Sequence, residues 1–238
     1  MTYNRRFVLI CMALLLSVSA TYAQSGCSAT KTYSGKFSLN NMAGGYVNNK
    51  DWLDGAATYQ YRDASDGSRI FDGDFEFTKL RVSAKGRFYN NCQDGKWEWH
   101  YGNGVKSEII FRNKKPNGKF KVYSPNKTAL YIQGEIFEGL LQNEFVYVNE
   151  KVRVSGKFDV GKPVGVWVYN SDRYPSAKAV YDRNGNLIED WSYEIVDKDT
   201  GNRKRIKFDP DKCSPQSLRG TAMFLLKCHL LRNTELTF

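Results

Sequence analysis

The sequence predicts an all-β protein: one elongated sheet of consecutive antiparallel hairpins, finished by a short C-terminal helix. Two observations predict it. A two-part glycine-and-aromatic motif recurs, its second glycine position falling at residues 95, 118, 143 and 165, which are 23, 25 and 22 apart. Inside each copy the aromatic residues sit on alternate positions, the period of a strand that buries one face.

The first 23 residues stand outside this pattern. Arg5 and Arg6 precede an apolar run from Val8 to Ala20, and Thr21-Tyr22-Ala23 places small residues three and one positions before Gln24. That is the layout of a cleaved signal peptide. The apolar run is shorter than the ~20 residues that a membrane span needs, and nothing later in the chain reaches that length. The expected product is an exported chain that is periplasmic, surface-bound or secreted. Cys27, after Gln24-Ser25-Gly26, admits a lipid-anchored variant, although Gln24 stands where such a box normally has an apolar residue.

Residues 24–196 read as the repeat array. Between 30 and 85 the copies are irregular: Gly35-Lys36-Phe37, Gly55-Ala56-Ala57-Thr58-Tyr59-Gln60-Tyr61 and Gly73-Asp74-Phe75-Glu76-Phe77 have the composition but not the spacing. Strands are expected there too, as the atypical terminal repeats that cap an array. Residues 86–190 carry the clear copies. Gly86-Arg87-Phe88 is followed, nine residues after its glycine, by Gly95-Lys96-Trp97-Glu98-Trp99-His100-Tyr101. The same interval joins Gly156-Lys157-Phe158 to Gly165-Val166-Trp167-Val168-Tyr169, and Gly134 to Asn143-Glu144-Phe145-Val146-Tyr147. A further copy, Gly118-Lys119-Phe120-Lys121-Val122-Tyr123, follows the strand Ile109-Ile110-Phe111.

Aromatic and β-branched residues favour pleated sheet, where cross-strand neighbours pack on them. Asn103-Gly104, Asn117-Gly118 and Asn184-Gly185 are expected to supply the positive φ of tight hairpin turns. The glycine that opens each second strand is expected to take a special dihedral, or to let a neighbouring ring lie on bare backbone.

The stretch from Gly95 to Gly104 (GKWEWHYGNG), with Ile109-Ile110-Phe111 and Asn117-Gly118-Lys119-Phe120, resembles the variant class of MORN (membrane occupation and recognition nexus) repeats. The resemblance covers residues 86–190 well and 30–85 poorly. It implies hairpins stacked into one elongated, curved sheet that serves as a scaffold or interaction surface. Some bacterial relatives are labelled antitoxins, a cytoplasmic role at odds with the signal segment. Asn143 in a glycine position and the missing glycine near Ile109 depart from the pattern.

Residues 197–238 read as a basic linker and a helical cap. Asp199-Thr200-Gly201-Asn202 predicts a turn, and Arg203, Lys204, Arg205 and Lys207 make the densest basic stretch. Ser214-Pro215 is a helix start, an N-cap followed by proline at the first helical position. Leu218, Ala222, Leu225 and His229 share one stripe, widened by Met223, Leu226 and Leu230. Two placements fit: a helix folded over the last hairpin to cover an open sheet edge, or a helix lying on a membrane surface.

The precursor carries a formal charge of +10; cleavage after Ala23 removes two arginines and leaves 33 − 25 = +8. That balance suits loose attraction to anionic envelope polymers or lipid headgroups. A nucleic-acid partner is not expected, because no recognisable module is present. After cleavage Cys27, Cys92, Cys213 and Cys228 remain as disulfide candidates, with three connectivities open. None has CxxC spacing, and no metal or other cofactor is expected.

Catalysis needs convergent groups, and no nucleophile-elbow, zinc or phosphate-loop motif appears. Asp72 and Asp74 alternate with aromatics, an ordinary solvent-face pattern. The expectation is a non-catalytic protein; the alternative, an envelope hydrolase, would rest on Cys92 and His100. The better binding candidate is the aromatic face of Trp97, Trp99, Tyr101, Phe145, Tyr147, Trp167 and Tyr169. Exposed, it would be a platform for a glycan ring or an extended segment; buried, each ring would hide some 150–250 Å² and form the core. The partner is accordingly expected to be a protein or an envelope glycan.

Overall fold

Alternation of rings with polar residues does produce strands, and they pair in chain order. The computed structural model describes residues 29–39, 52–126 and 129–231. Residues 1–23, read above as a signal peptide, and Cys27 lie outside the described residues. From the N-terminal side the strands are β1 (Lys31–Phe37), β2 (Gly55–Asp63), β3 (Arg69–Lys79), β4 (Val82–Tyr89) and β5 (Cys92–His100). There follow β6 (Lys106–Arg112), β7 (Lys115–Tyr123), β8 (Leu130–Phe137), β9 (Leu140–Asn149) and β10 (Val152–Asp159). The last are β11 (Lys162–Ser171), β12 (Ala177–Tyr181), β13 (Leu187–Val196) and β14 (Arg203–Lys207). All fourteen described strands form one open sheet in which spatial order equals chain order. A 3-10 turn (Asp211–Cys213) then leads into α1 (Pro215–Cys228). The sheet therefore extends beyond residue 196, because Arg203–Lys207 of the basic segment pairs with β13.

One face is buried from β2 to β12, and the cover thins out over β13 and β14. In β3 the inward residues Phe71, Phe75 and Phe77 are covered, while Asp74, Glu76 and Thr78 between them face solvent. The inner rings touch across strands, for example Phe75 with Trp97 at 5.7 Å and Phe158 with Trp167 at 5.0 Å between centroids.

The repeating glycines sit inside strands rather than at their starts, and mark bulges of two kinds. In β4–β5 the pairing jumps so that Gly95–Trp97 stand opposite Gly86 alone. Asn143–Phe145 oppose Gly134 and Gly165–Trp167 oppose Gly156 in the same way. The first residue of each trio is left-handed: φ is 65° at Gly95, 60° at Asn143 and 65° at Gly165. Asn143 keeps the glycine geometry because Asn tolerates that region, and its Nδ2 donates to Glu135 Oε2 at 2.9 Å on the neighbouring strand. In the second kind, the trio Asp72–Asp74 opposes Gln60, and the trio Asn117–Lys119 opposes Ile110. Here the middle residue turns over, with φ of 127° at Gly73 and 126° at Gly118. Asn117-Gly118 is thus a bulge and not the predicted turn. The chain reverses four residues earlier, at Asn113-Lys114, where two consecutive positive φ values supply the twist that a tight hairpin needs. Asn103-Gly104 and Asn184-Gly185 do lie in turns, with backbone bonds from Gly104 N to Tyr101 O and from Gly185 N to Asp182 O.

Ser214 caps α1 by accepting a hydrogen bond from Ser217 N, with Pro215 in the first turn. The helix does not cover the sheet edge. Its apolar stripe, Leu218, Ala222, Leu225 and Leu226, is buried with the inner rings. Arg219 Nη1 donates to Gly161 O at 3.0 Å, and the chain just beyond the helix reaches β5 and β6. A sheet without a second layer needs its rings covered more than it needs its edge covered; the edge strand β14 is protected by its own charges.

Candidate functional site

The rings singled out from the sequence are placed by the bulges. A Cβ on Gly86 would stand 2.2 Å from the Trp97 ring, and one on Gly156 the same distance from Trp167. Each indole lies flat against a bare Cα. Trp97, Trp99 and Trp167 are 0 % exposed, and Phe145, Tyr101 and Tyr169 are also buried. Tyr147 is half-buried at the rim of the same core. Of the two arrangements open for these seven residues, platform or core, the structure has the core: in a one-sheet protein the largest apolar side chains are needed there.

Above Trp99 and Tyr101 lies the one histidine that the fold buries completely. His229 Nδ1 donates to Leu225 O at 2.7 Å, and Nε2 accepts from the hydroxyls of Ser107, at 2.8 Å, and Tyr101. Burial pushes the imidazole down to about 4, only partly opposed by the Leu225 carbonyl, so the ring is neutral near pH 7. Gln93 completes the contact: its Nε2 donates to His229 O and its Oε1 accepts from Leu231 N. A Ser–His contact of this kind invites a catalytic reading, but Ser107 is itself buried. The group is a latch between α1 and strands β5 and β6.

Cys92 and His100 end up at opposite ends of β5, roughly 25 Å apart at about 3.3 Å per residue, so they form no pair. Cys92 and Cys213 are free thiols, and no disulfide joins Cys92, Cys213 and Cys228 to one another. Burial raises Cys213, which keeps it protonated. Among the described residues no cluster of three or more His, Cys, Asp or Glu is arranged to hold a metal. No described helix is long and apolar enough to cross a membrane.

Two surfaces remain available. The outward face of the sheet carries rows of cross-strand neighbours. One row runs through Glu76, Lys85, Glu98, Glu108 and Lys121, and continues through Gln133, Val146, Ser155 and Val168. Lys96 bridges the two adjacent carboxylates, at 2.6 Å to Glu98 and 2.9 Å to Glu108; the double contact raises the lysine and lowers Glu108. A groove of about 530 Å³ crosses this charged part, between Thr58, Asp74, Arg87 and Glu98. Toward β11 the outward residues become valines, with Val166 exposed and facing Val180.

The second surface is a cleft of about 460 Å³ at the C-terminal end of the inner face. Phe208 is ringed by Tyr169, Tyr174 and Tyr193 at 4.6, 5.8 and 6.3 Å between centroids, and Asp209, Asp211, Lys207 and Lys212 line the mouth. Of these rings only Tyr169 was visible in the sequence motif. A lone Phe inside a basic segment, and a Tyr beside Pro175 in a loop, were the available signals for Phe208 and Tyr174.

The chain is therefore an open, one-sheet β-hairpin repeat protein with a C-terminal helix lodged on its ring-bearing face. Compared with known proteins, the sequence matches no family model and no curated protein.

Proposed function

We propose that this protein is an exported, non-catalytic repeat scaffold of the variant MORN-repeat type, which engages a partner protein through the outward face of its sheet. The supporting observation is the division of labour between the faces. Inner rings, α1 and Trp52 occupy one face, and across β3–β12 no described element packs on the other. A broad surface of in-register side chains, charged over β3–β7 and valine-bearing over β9–β12, suits a partner read by both charge and apolar contact. The burial of Ser107 and His229 speaks for the non-catalytic reading, since no substrate reaches them without the helix leaving. The motif of residues 1–23 speaks for export.

Photo-crosslinking amino acids at Lys85, Lys121 and Val166 test the surface. Cross-links to one protein from these rows, and none from Asn184 in the β12–β13 turn, are expected. Cross-links to nothing, or equally from every position, would refute the reading. Mass measurement of the chain from its native host tests export, the expected species beginning at Gln24.

A further inference from the structure

We infer that the cleft formed by Tyr169, Tyr174, Tyr193 and Phe208 binds a neutral saccharide, independently of the proposed outward partner surface. Three features lead there. The first is shape and lining: a concave space of about 460 Å³, within the range of small-ligand sites, is walled by aromatic rings and rimmed by a few polar groups. The second is an unpartnered hydroxyl. Tyr169 is 9 % exposed, yet its hydroxyl has no hydrogen-bond partner among the described residues and borders the cleft. Burial and the neighbouring Cys213 and Tyr174 raise this phenol, so it stays a neutral donor and acceptor. The hydroxyl stays accessible at the cleft wall, where a ligand hydroxyl can bond it.

The third feature is the charge at the mouth, which selects the ligand class. Asp209, Asp211, Lys207 and Lys212 line the opening, and Lys207 is already paired with Asp190 at 3.0 Å, which leaves two carboxylates against one ammonium group. An anion would meet the two carboxylates, and a cation would meet the Lys212 ammonium group. A purely apolar side chain would strip water from all four without replacing their hydrogen bonds. A pyranose does neither: its C–H face packs on the rings, and its hydroxyls both donate and accept. Tyr174, 43 % exposed, is the ring best placed to take that face.

Calorimetric titration of the full mature chain with cellotetraose, maltotetraose and the N-acetylglucosamine tetramer tests the inference, beside an oligogalacturonate and a Phe-rich peptide. Binding of at least one neutral oligosaccharide is expected, weakened about tenfold by Tyr174→Ala, the loss of one stacked ring. Asp209→Asn at the exposed rim is expected to weaken it as well, and Tyr89→Ala on β4 to leave it unchanged. Tyr174 is exposed enough to remove without unfolding the chain, which circular dichroism verifies. Absence of binding to all three, binding indifferent to Tyr174→Ala, or preference for the acidic oligomer or the peptide would each overturn the inference. Because the cleft and the outward rows lie on different faces, loss of either result leaves the cross-linking experiment readable.

Discussion

The β4–β5 and β6–β7 hairpins carry the same glycine-aromatic motif, yet they bulge differently, and one position separates them. Opposite the bulge, β4 has the inward Gly86 and β6 has the outward Ile110. In the first hairpin the missing Cβ makes room for the Trp97 ring; in the second the Ile110 side chain lies over the bare Gly118, 3.1 Å from where a Cβ would be. The β2–β3 hairpin follows the second plan, with Gln60 over Gly73 and its Oε1 accepting from Asp74 N. Glycine thus does two jobs in one repeat: some glycines bend the strand, and others are a seat for an indole.

The largest expected effect breaks the seat. Gly86→Ala or Gly156→Ala, each placing a methyl 2.2 Å from a fully buried indole, should cost about 3 kcal/mol in urea unfolding, since the core has no slack. The reciprocal change separates the two plans. Next comes the latch that ties β5 and β6, and so both hairpins, to α1. His229 titrates at about 4 in the folded chain against 6.5 unfolded, so the unfolded chain takes up the proton first. Its stabilising contribution is complete above pH 6.5 and is lost as pH falls toward 4. Between about pH 7.5 and pH 5 this amounts to about 2 kcal/mol, measured as the pH-dependence that His229→Leu removes.

A smaller effect tests the bend. Gly95→Ala and Gly165→Ala meet open space but must hold a left-handed φ, which should cost about 1 kcal/mol each. Ile110→Gly, on the exposed side of β6, should cost less than about 1 kcal/mol, well below Gly86→Ala. The smallest is Asn143→Gly, expected within about 0.5 kcal/mol, because the backbone there already has the glycine conformation and only the contact with Glu135 is lost. Equal costs for Gly86→Ala and Gly95→Ala would show the two roles to be one.

Much of this was legible in the sequence. The nine-residue interval from Gly86 to Gly95, Gly134 to Asn143 and Gly156 to Gly165 is the distance around one tight hairpin from seat to bulge, so strands and their inward faces followed directly. Asn117-Gly118 was misread because Asn-Gly serves a turn and a bulge equally; the nearby Asn113-Lys114 shows no glycine, although it is the reversal. Whether the aromatic face is platform or core stayed open in the sequence, because alternation reveals that rings share a face without revealing whether that face is covered.

The amino-acid order by itself determined the hairpin period, the inward set of rings and the capped helix after Ser214, since each depends on neighbours a few residues apart or on a single strand's alternation. Only the tertiary structure decided where α1 rests, why His229 is buried against residues more than a hundred positions earlier, and that Phe208 gathers three tyrosines into a cleft. These depend on which surface most needs cover once fourteen strands have assembled, and no local pattern encodes that competition.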